Sequence, residues 1–215
     1  MPLPSELEQG SPEWRAIRAG KITGSRINDV LAKLKSGGEA KTRADYRMEL
    51  VAERLTGVPE EQYVNGYMRW GTEYEPLARA AYEVAFDVVL EQVGFVIHPT
   101  MPFAGCSPDA FLGDKGIVGF KCPKTTTHLR WRQKNSCPEE HVAQLYWELA
   151  CTGREWADFV SYDPRLPEPL QLFGVRVFPE KALMEQMEAE VAKFDEEVNE
   201  AIERINAVAA IREVA

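Results

Sequence analysis

Hydrophobic positions recur at steps of three and four in the first part of the chain, and then turn to steps of two. Ile27, Val30, Leu31 and Leu34 fall on one face after Ser25 and predict a helix that Ser36-Gly37-Gly38 ends. Residues 42–57 predict a second helix, stopped at Thr56-Gly57-Val58-Pro59. Residues 69–86 predict a third, with Trp70, Leu77, Ala78, Ala81 and Tyr82 as its apolar stripe. The pattern is β-like over 88–97, 110–112 and 116–121, the last two joined by Gly113-Asp114-Lys115. A helix over 138–152 follows, then strands over 155–161 and 170–178. The tail, residues 180–212, carries Leu183, Met187, Val191, Phe194, Val198, Ile202 and Ile205 at helical spacing, a stripe suited to core packing. Residues 1–12, with Pro2, Pro4, Gly10 and Pro12, read as irregular. The expected architecture is a single α+β (mixed α/β) domain over residues 1–215. A small central mixed sheet is flanked by helices.

Composition narrows the function classes. Of 215 residues, 45% are hydrophobic and 27% charged, as expected for a globular protein, and no apolar run is long enough to span a bilayer. With no basic and apolar leader at the start, a cytoplasmic protein without membrane contact is expected. The net charge of −9 argues against coating nucleic acid by bulk charge, yet leaves room for a local basic groove. Cys106, Cys122, Cys137 and Cys151 form no C-x-x-C pair and no zinc spacing with His98, His128 or His141, so reduced structural thiols are expected.

Candidate chemistry concentrates between Cys106 and Pro123. Ser107-Pro108-Asp109 precedes a hairpin whose second strand carries Lys121. Strand alternation puts Gly119 and Lys121 on one face, which Asp109 can approach across the hairpin. An aspartate that binds divalent ions, beside a lysine that offsets developing charge, suits phosphodiester hydrolysis. A surface hairpin with a turn aspartate and a solvated lysine is the plainer alternative. On the predicted helix over 138–152, His141 and Gln144 share a face one turn apart. His141 could meet a scissile phosphate or a metal-bound water, or simply be a partly buried histidine. Arg18, Thr23 and Ser25 lie on a turn before the first predicted helix, where a guanidinium, hydroxyls and helix-start amides favour an anion. Taken alone, Ser25 is an ordinary N-cap and Arg18 a surface residue. The segment 125–134 holds Arg130, Trp131, Arg132 and Lys134, with packing favoured for Trp131 over base stacking.

Several separated motifs share one order along the chain. They are Trp14 with Arg18-Ala19-Gly20-Lys21-Ile22-Thr23-Gly24-Ser25; Trp70-Gly71-Thr72-Glu73-Tyr74-Glu75; Cys106-Ser107-Pro108-Asp109; Lys121-Cys122-Pro123; Ala143-Gln144; and Tyr162-Asp163-Pro164-Arg165. From about Trp14 into the last helix, the chain resembles the phage lambda exonuclease and bacterial or prophage alkaline-exonuclease family. That family belongs to the restriction-endonuclease-like nucleases with a P-D…(D/E)-x-K core. The resemblance implies digestion of one strand of linear double-stranded DNA from its 5′ end, releasing mononucleotides and leaving a 3′ single strand. It implies Mg²⁺ (Mn²⁺ as a substitute), a ring-shaped homotrimer, and a single-strand annealing recombinase as partner. It casts Asp109, Lys121, Glu75 and Gln144 as catalytic residues, with Asp109, Glu75 and the Phe120 backbone carbonyl toward the metal. Arg18, Ser25, Ser107 and Gln144, with Thr23 beside them, would hold the terminal 5′-phosphate.

The chain departs from this pattern at one position. Gly119 stands where the family carries an acidic residue two places before the lysine. Glycine offers no side-chain oxygen and weakens a strand interior. Asp114 lies in the turn, and no other carboxylate is expected on the same face. The expectation is an enzyme that binds DNA ends but cleaves slowly or not at all. The rival is a non-catalytic clamp that holds DNA ends and recruits an annealing protein. A related endonuclease is a third reading, weakened for the CRISPR-adaptation type by the absence of a four-cysteine iron–sulfur pattern.

Overall fold

The computed structural model describes residues 6–34, 38–60 and 66–213. Ser11 opens helix α1 (Pro12–Arg18), its hydroxyl accepting the Trp14 amide at 3.1 Å with Pro12 in the first turn, the arrangement that best satisfies a helix start. This short helix was not expected from the sequence. Strand β1 (Ile22–Thr23) leads through a 3₁₀ turn (Gly24–Arg26) into α2 (Ile27–Leu31). The expected helix therefore stops early. Leu34 lies outside it, half exposed, while Ser36 and Gly37 fall outside the described residues. Helix α3 (Lys41–Thr56) ends on Gly57 at φ +70°, a left-handed cap that glycine adopts without a Cβ penalty. Helix α4 (Gly66–Phe86) buries Ala78 and Tyr82, while Leu77 is exposed.

The β-rich stretch forms two sheets rather than one. Strands β2 (Val96–Ile97) and β3 (Ala104–Cys106) join β1 in the order β1-β3-β2, with β1 parallel and β2 antiparallel to β3. Of the expected strand at 88–97, only its last two residues are a strand; Glu91 adds an isolated bridge to Phe111. The second sheet is mixed. Strands β4 (Ala110–Leu112), β5 (Gly116–Lys121), β6 (Trp156–Tyr162) and β7 (Leu172–Val177) lie in that order, with β5 and β6 parallel and the outer pairs antiparallel. Parallel pairing requires a long crossover, supplied by α5 (Thr125–Lys134) and α6 (Glu139–Thr152). A short α7 (Glu168–Gln171) precedes β7 and takes the first residues of the expected strand.

The central sheet separates two sets of buried side chains. Ile117 and Phe159 face α6, whose Leu145, Trp147 and Leu149 are buried with them. Val118, Phe120 and Val160 face α4 through Ala78 and Tyr82. The terminal helix α8 (Lys181–Glu213) lays Met187, Val191, Phe194 and Val198 over α3, with Phe194 stacked 5.6 Å from Tyr46. Leu183 and Ile205, near its two ends, stay exposed. Arg54–Asp195 at 2.6 Å and Arg43–Glu197 clamp the same interface. Among the described residues no helix is long and apolar enough to cross a membrane, and all four cysteines are free thiols.

Candidate active site

Strand β4 begins at Ala110, whose partner on β5 is Val118, so the last residues of β5 lose their neighbour on that side. Asp109, held just before β4 by Pro108, fills the vacancy. Its Oδ2 accepts the Phe120 amide at 2.6 Å. In an extended strand the N–H and C=O of one residue point to the same side, so the Phe120 carbonyl shares this uncovered edge. Arg79 of α4 donates to the Asp109 carbonyl and fixes the same corner to the helix.

A cleft of about 610 Å³ opens at this edge, between α4 on one face of the sheet and α6 on the other. Glu75, Asp109, Phe120, Lys121, His141 and Gln144 line it, together with Arg18, Thr23, Ser25 and Ser107. Every expected site side chain is thus brought to one place, and only Gly119 lies outside the lining. A larger apolar groove of about 850 Å³ among α2, α6 and α8 pairs Lys33 with Glu190 but holds no comparable constellation.

At one end the cleft is shaped for an anion. The Arg18 guanidinium lies 3.8 Å over the Trp14 ring and reaches Ser25 Oγ at 3.5 Å. Trp14 Nε1 donates to Ser107 Oγ at 3.0 Å, and Thr23 Oγ1 sits 3.3 Å from Ser25 Oγ. Among the described residues no carboxylate pairs with Arg18, and burial pushes its pKa down to about 10. A half-buried guanidinium without a carboxylate partner favours an anionic ligand. Two details differ from expectation. Arg18 ends α1 instead of lying in a turn, and Ser25 belongs to the 3₁₀ turn rather than capping α2, whose cap position is Arg26. Its hydroxyl is therefore available to the cleft.

At the other end the cleft is acidic. Burial, and then the nearby Asp109 carboxylate, push Glu75 up to about 7. The sequence reading missed Glu148. It lines the cleft from α6, is 2% exposed, and is pushed up to about 8 by burial first and Asp109 second. Gln144 Nε2 donates to Glu148 Oε1 at 2.8 Å, while Oε2 has no hydrogen-bond partner among the described residues. An acid inside a helical run that is otherwise buried, four residues after Gln144, was the signal available. The Lys121 side chain makes no hydrogen bond or ion pair among the described residues, and its charge opposes the upward shift of both glutamates.

His141 stacks on Phe159 at 5.3 Å and meets the edge of Trp131 at 5.3 Å. Burial, with Lys121 second, lowers it to about 4, so it is neutral at neutral pH. Trp131 packs against Phe159 and forms part of the cleft wall, while Arg132 is bound to the Leu172 and Pro169 carbonyls. His128, fully buried, is bound to Ser161 and the Leu170 carbonyl. The Asp163–Arg165 pair is architectural. Asp163 is buried, and Arg165 bridges it to the Pro123 carbonyl and covers the Trp70 ring at 4.5 Å.

The donor set suits a hard divalent cation. Asp109, Glu75 and Glu148 offer carboxylate oxygens; burial and then Asp109 raise the pKa of both glutamates, and one Glu148 oxygen is orphaned. A cation would relieve each of these costs. Among the described residues no three acidic, histidine or cysteine side chains converge to enclose an ion. Magnesium does not require that, since it is usually held by one or two carboxylates, with water and substrate phosphate completing the shell.

Comparison with known proteins accords with this geometry. The YqaJ-like viral recombinase domain family matches residues 13–155. The chain is similar to an alkaline exonuclease (LHK-Exo) from Laribacter hongkongensis, at 40% identity and a TM-score of 0.87, over 95% of this chain and 100% of that one. The crystal structure of LHK-Exo in complex with dAMP matches with the same values. A phage-related exonuclease from Haemophilus somnus 129PT has the same fold at a TM-score of 0.70 and 16% identity, over 86% and 96% of the two chains. No curated protein sequence gives a significant match.

Proposed function

Because this chain belongs to the YqaJ-like viral recombinase family, we propose that it is a divalent-cation-dependent exonuclease that digests linear double-stranded DNA from a 5′ end. The observation that carries the reading is one cleft holding an anion pocket around Arg18 and an acidic centre around Asp109 and Lys121. The terminal 5′-phosphate would be held by Arg18, Ser25 and Ser107, with Thr23 bracing Ser25. This places the next phosphodiester toward Asp109. Asp109 and the Phe120 carbonyl, joined by one further carboxylate from Glu75 or Glu148, would hold Mg²⁺ or Mn²⁺. The ion would polarise the phosphate and stabilise attacking and leaving oxygens. Lys121 offsets charge as it develops on the phosphate, and Gln144, fixed by Glu148, orients the reacting end. His141, neutral and wedged between aromatic rings, positions Gln144's helix rather than carrying charge. The complex of LHK-Exo with dAMP is in keeping with a mononucleotide product.

Gly119 sets the rate. Losing one metal-directed carboxylate weakens and misplaces a magnesium ion that tolerates little distortion. Nothing in the backbone requires glycine there. Its φ is not positive, and an added Cβ would meet only Leu145 Cδ2, at 3.1 Å. The test is digestion of a 5′-phosphorylated linear duplex with and without Mg²⁺. Slow, metal-dependent shortening is expected, accelerated at least tenfold by Gly119→Glu. Equal rates in the two proteins would reject an impaired site. Retention of the duplex without shortening in both would favour the clamp that recruits an annealing recombinase, and cutting of closed circles would favour an endonuclease. By family resemblance, three copies would form a ring around the duplex in the cytoplasm and pass the 3′ strand to the annealing partner.

A further inference from the structure

We propose that Glu148 supplies the divalent-cation site with the carboxylate that position 119 lacks. The inference rests on the nuclease reading above and deepens it. Direction of approach is the first support. A side chain added at Gly119 would point at Leu145 of α6. Glu148 lies three residues beyond Leu145, where a helix brings side chains to adjoining places on one face. Glu148 therefore reaches the cleft from the same side of the sheet as an acid at 119 would, while Glu75 reaches it from α4 on the opposite side.

The second support is the state of the carboxylate. One oxygen, Oε1, is held by Gln144 at 2.8 Å, and the other has no partner among the described residues although the side chain is 2% exposed. An unsatisfied buried carboxylate oxygen is costly, and such groups in native proteins have a reason. Asp109 lines the same cleft and its carboxylate acts on Glu148, so a cation shared by the two acids would supply the missing partner. The elevated pKa agrees, since a cation would reverse the effects of burial and of Asp109. The competing role is a neutral acid that merely orients Gln144. Glu148→Gln separates the two, because the amide oxygen can still accept from Gln144 while the charge is gone.

The experiment is Mn²⁺ binding to the purified full chain by calorimetry, with duplex binding in EDTA and metal-free melting as controls. In the parent chain, Glu148→Gln should weaken Mn²⁺ binding at least tenfold. In the Gly119→Glu background the same substitution should weaken it no more than about twofold, because the strand carboxylate restores the ligand; such non-additivity marks two groups serving one site. Equal losses in both backgrounds, or no loss in the parent, overturn the proposal. A parent chain that binds no Mn²⁺ overturns it too. Digestion by Gly119→Glu then tells whether the nuclease reading survives. Should Glu148→Gln fail to fold, Glu148→Asp keeps the charge but draws it back, and the same contrast between backgrounds applies.

Discussion

Burial holds the Arg18 guanidinium near a pKa of about 10, over an indole and beside the Ser25 hydroxyl, with no carboxylate paired to it among the described residues. A group in that condition discriminates strongly for charge on its ligand. Arg18→Ala should weaken binding of 5′-phosphorylated ends by roughly 1.5–3 kcal/mol, the value of a hydrogen bond to a charged group. It should leave 5′-hydroxyl ends nearly unaffected; competition between the two duplexes measures this. The glutamates respond to pH in a definite direction. Glu75 at about 7 and Glu148 at about 8 keep protons in the folded protein that the unfolded chain releases near ordinary carboxylate values. Their contribution to stability is complete below the unfolded values and is lost as pH rises through 7 to 8. The metal-free protein should therefore melt lower at pH 9 than at pH 6, and Glu148→Gln should flatten that slope. Added Mg²⁺ should raise the melting temperature more at pH 9, where both acids are already deprotonated.

Among the elements, the site depends on two helices meeting one strand edge. Arg79 ties α4 to the Asp109 carbonyl, so Arg79→Met should misplace Glu75 relative to Asp109. Cleavage should fall severalfold in kcat, while stability changes by only about 1 kcal/mol, the net value of one hydrogen bond; kinetics beside chemical denaturation separate the two effects. Helix α8 has no part in the cleft and serves α3 and the core instead. Phe194 is fully buried against Tyr46, and Phe194→Ala should cost about 3–5 kcal/mol in urea denaturation. Its effect on cleavage should be confined to loss of folded protein.

For the whole molecule, the net charge of −9 means that any affinity for DNA comes from a local site rather than from general attraction. If three copies surround the duplex, sedimentation should give three times the 24.3 kDa monomer mass. Digestion of linear DNA should then be processive, and relaxed closed circles should remain intact. A monomer at micromolar concentration would remove enclosure and leave a distributive enzyme.

The helices α3, α4, α6 and α8, the β4–β5 hairpin and the strands β6 and β7 were legible in sequence, because periodicity reports which face of a local element is buried. The residues from Arg18 to Gln144 that meet at the cleft were singled out by the order of their motifs. Short elements were not. Helix α1 and the strands β1 and β3 carry too few residues to show a period, and are fixed by the Ser11 cap and by pairing across distant segments. Nor was Glu148, since an acid in a helix reads as solvent-facing until tertiary packing buries it. Whether the missing oxygen at Gly119 has a substitute is a question of which side of a sheet a helix covers. Spacing along one chain cannot encode that, because it arises only when α6 packs across β5.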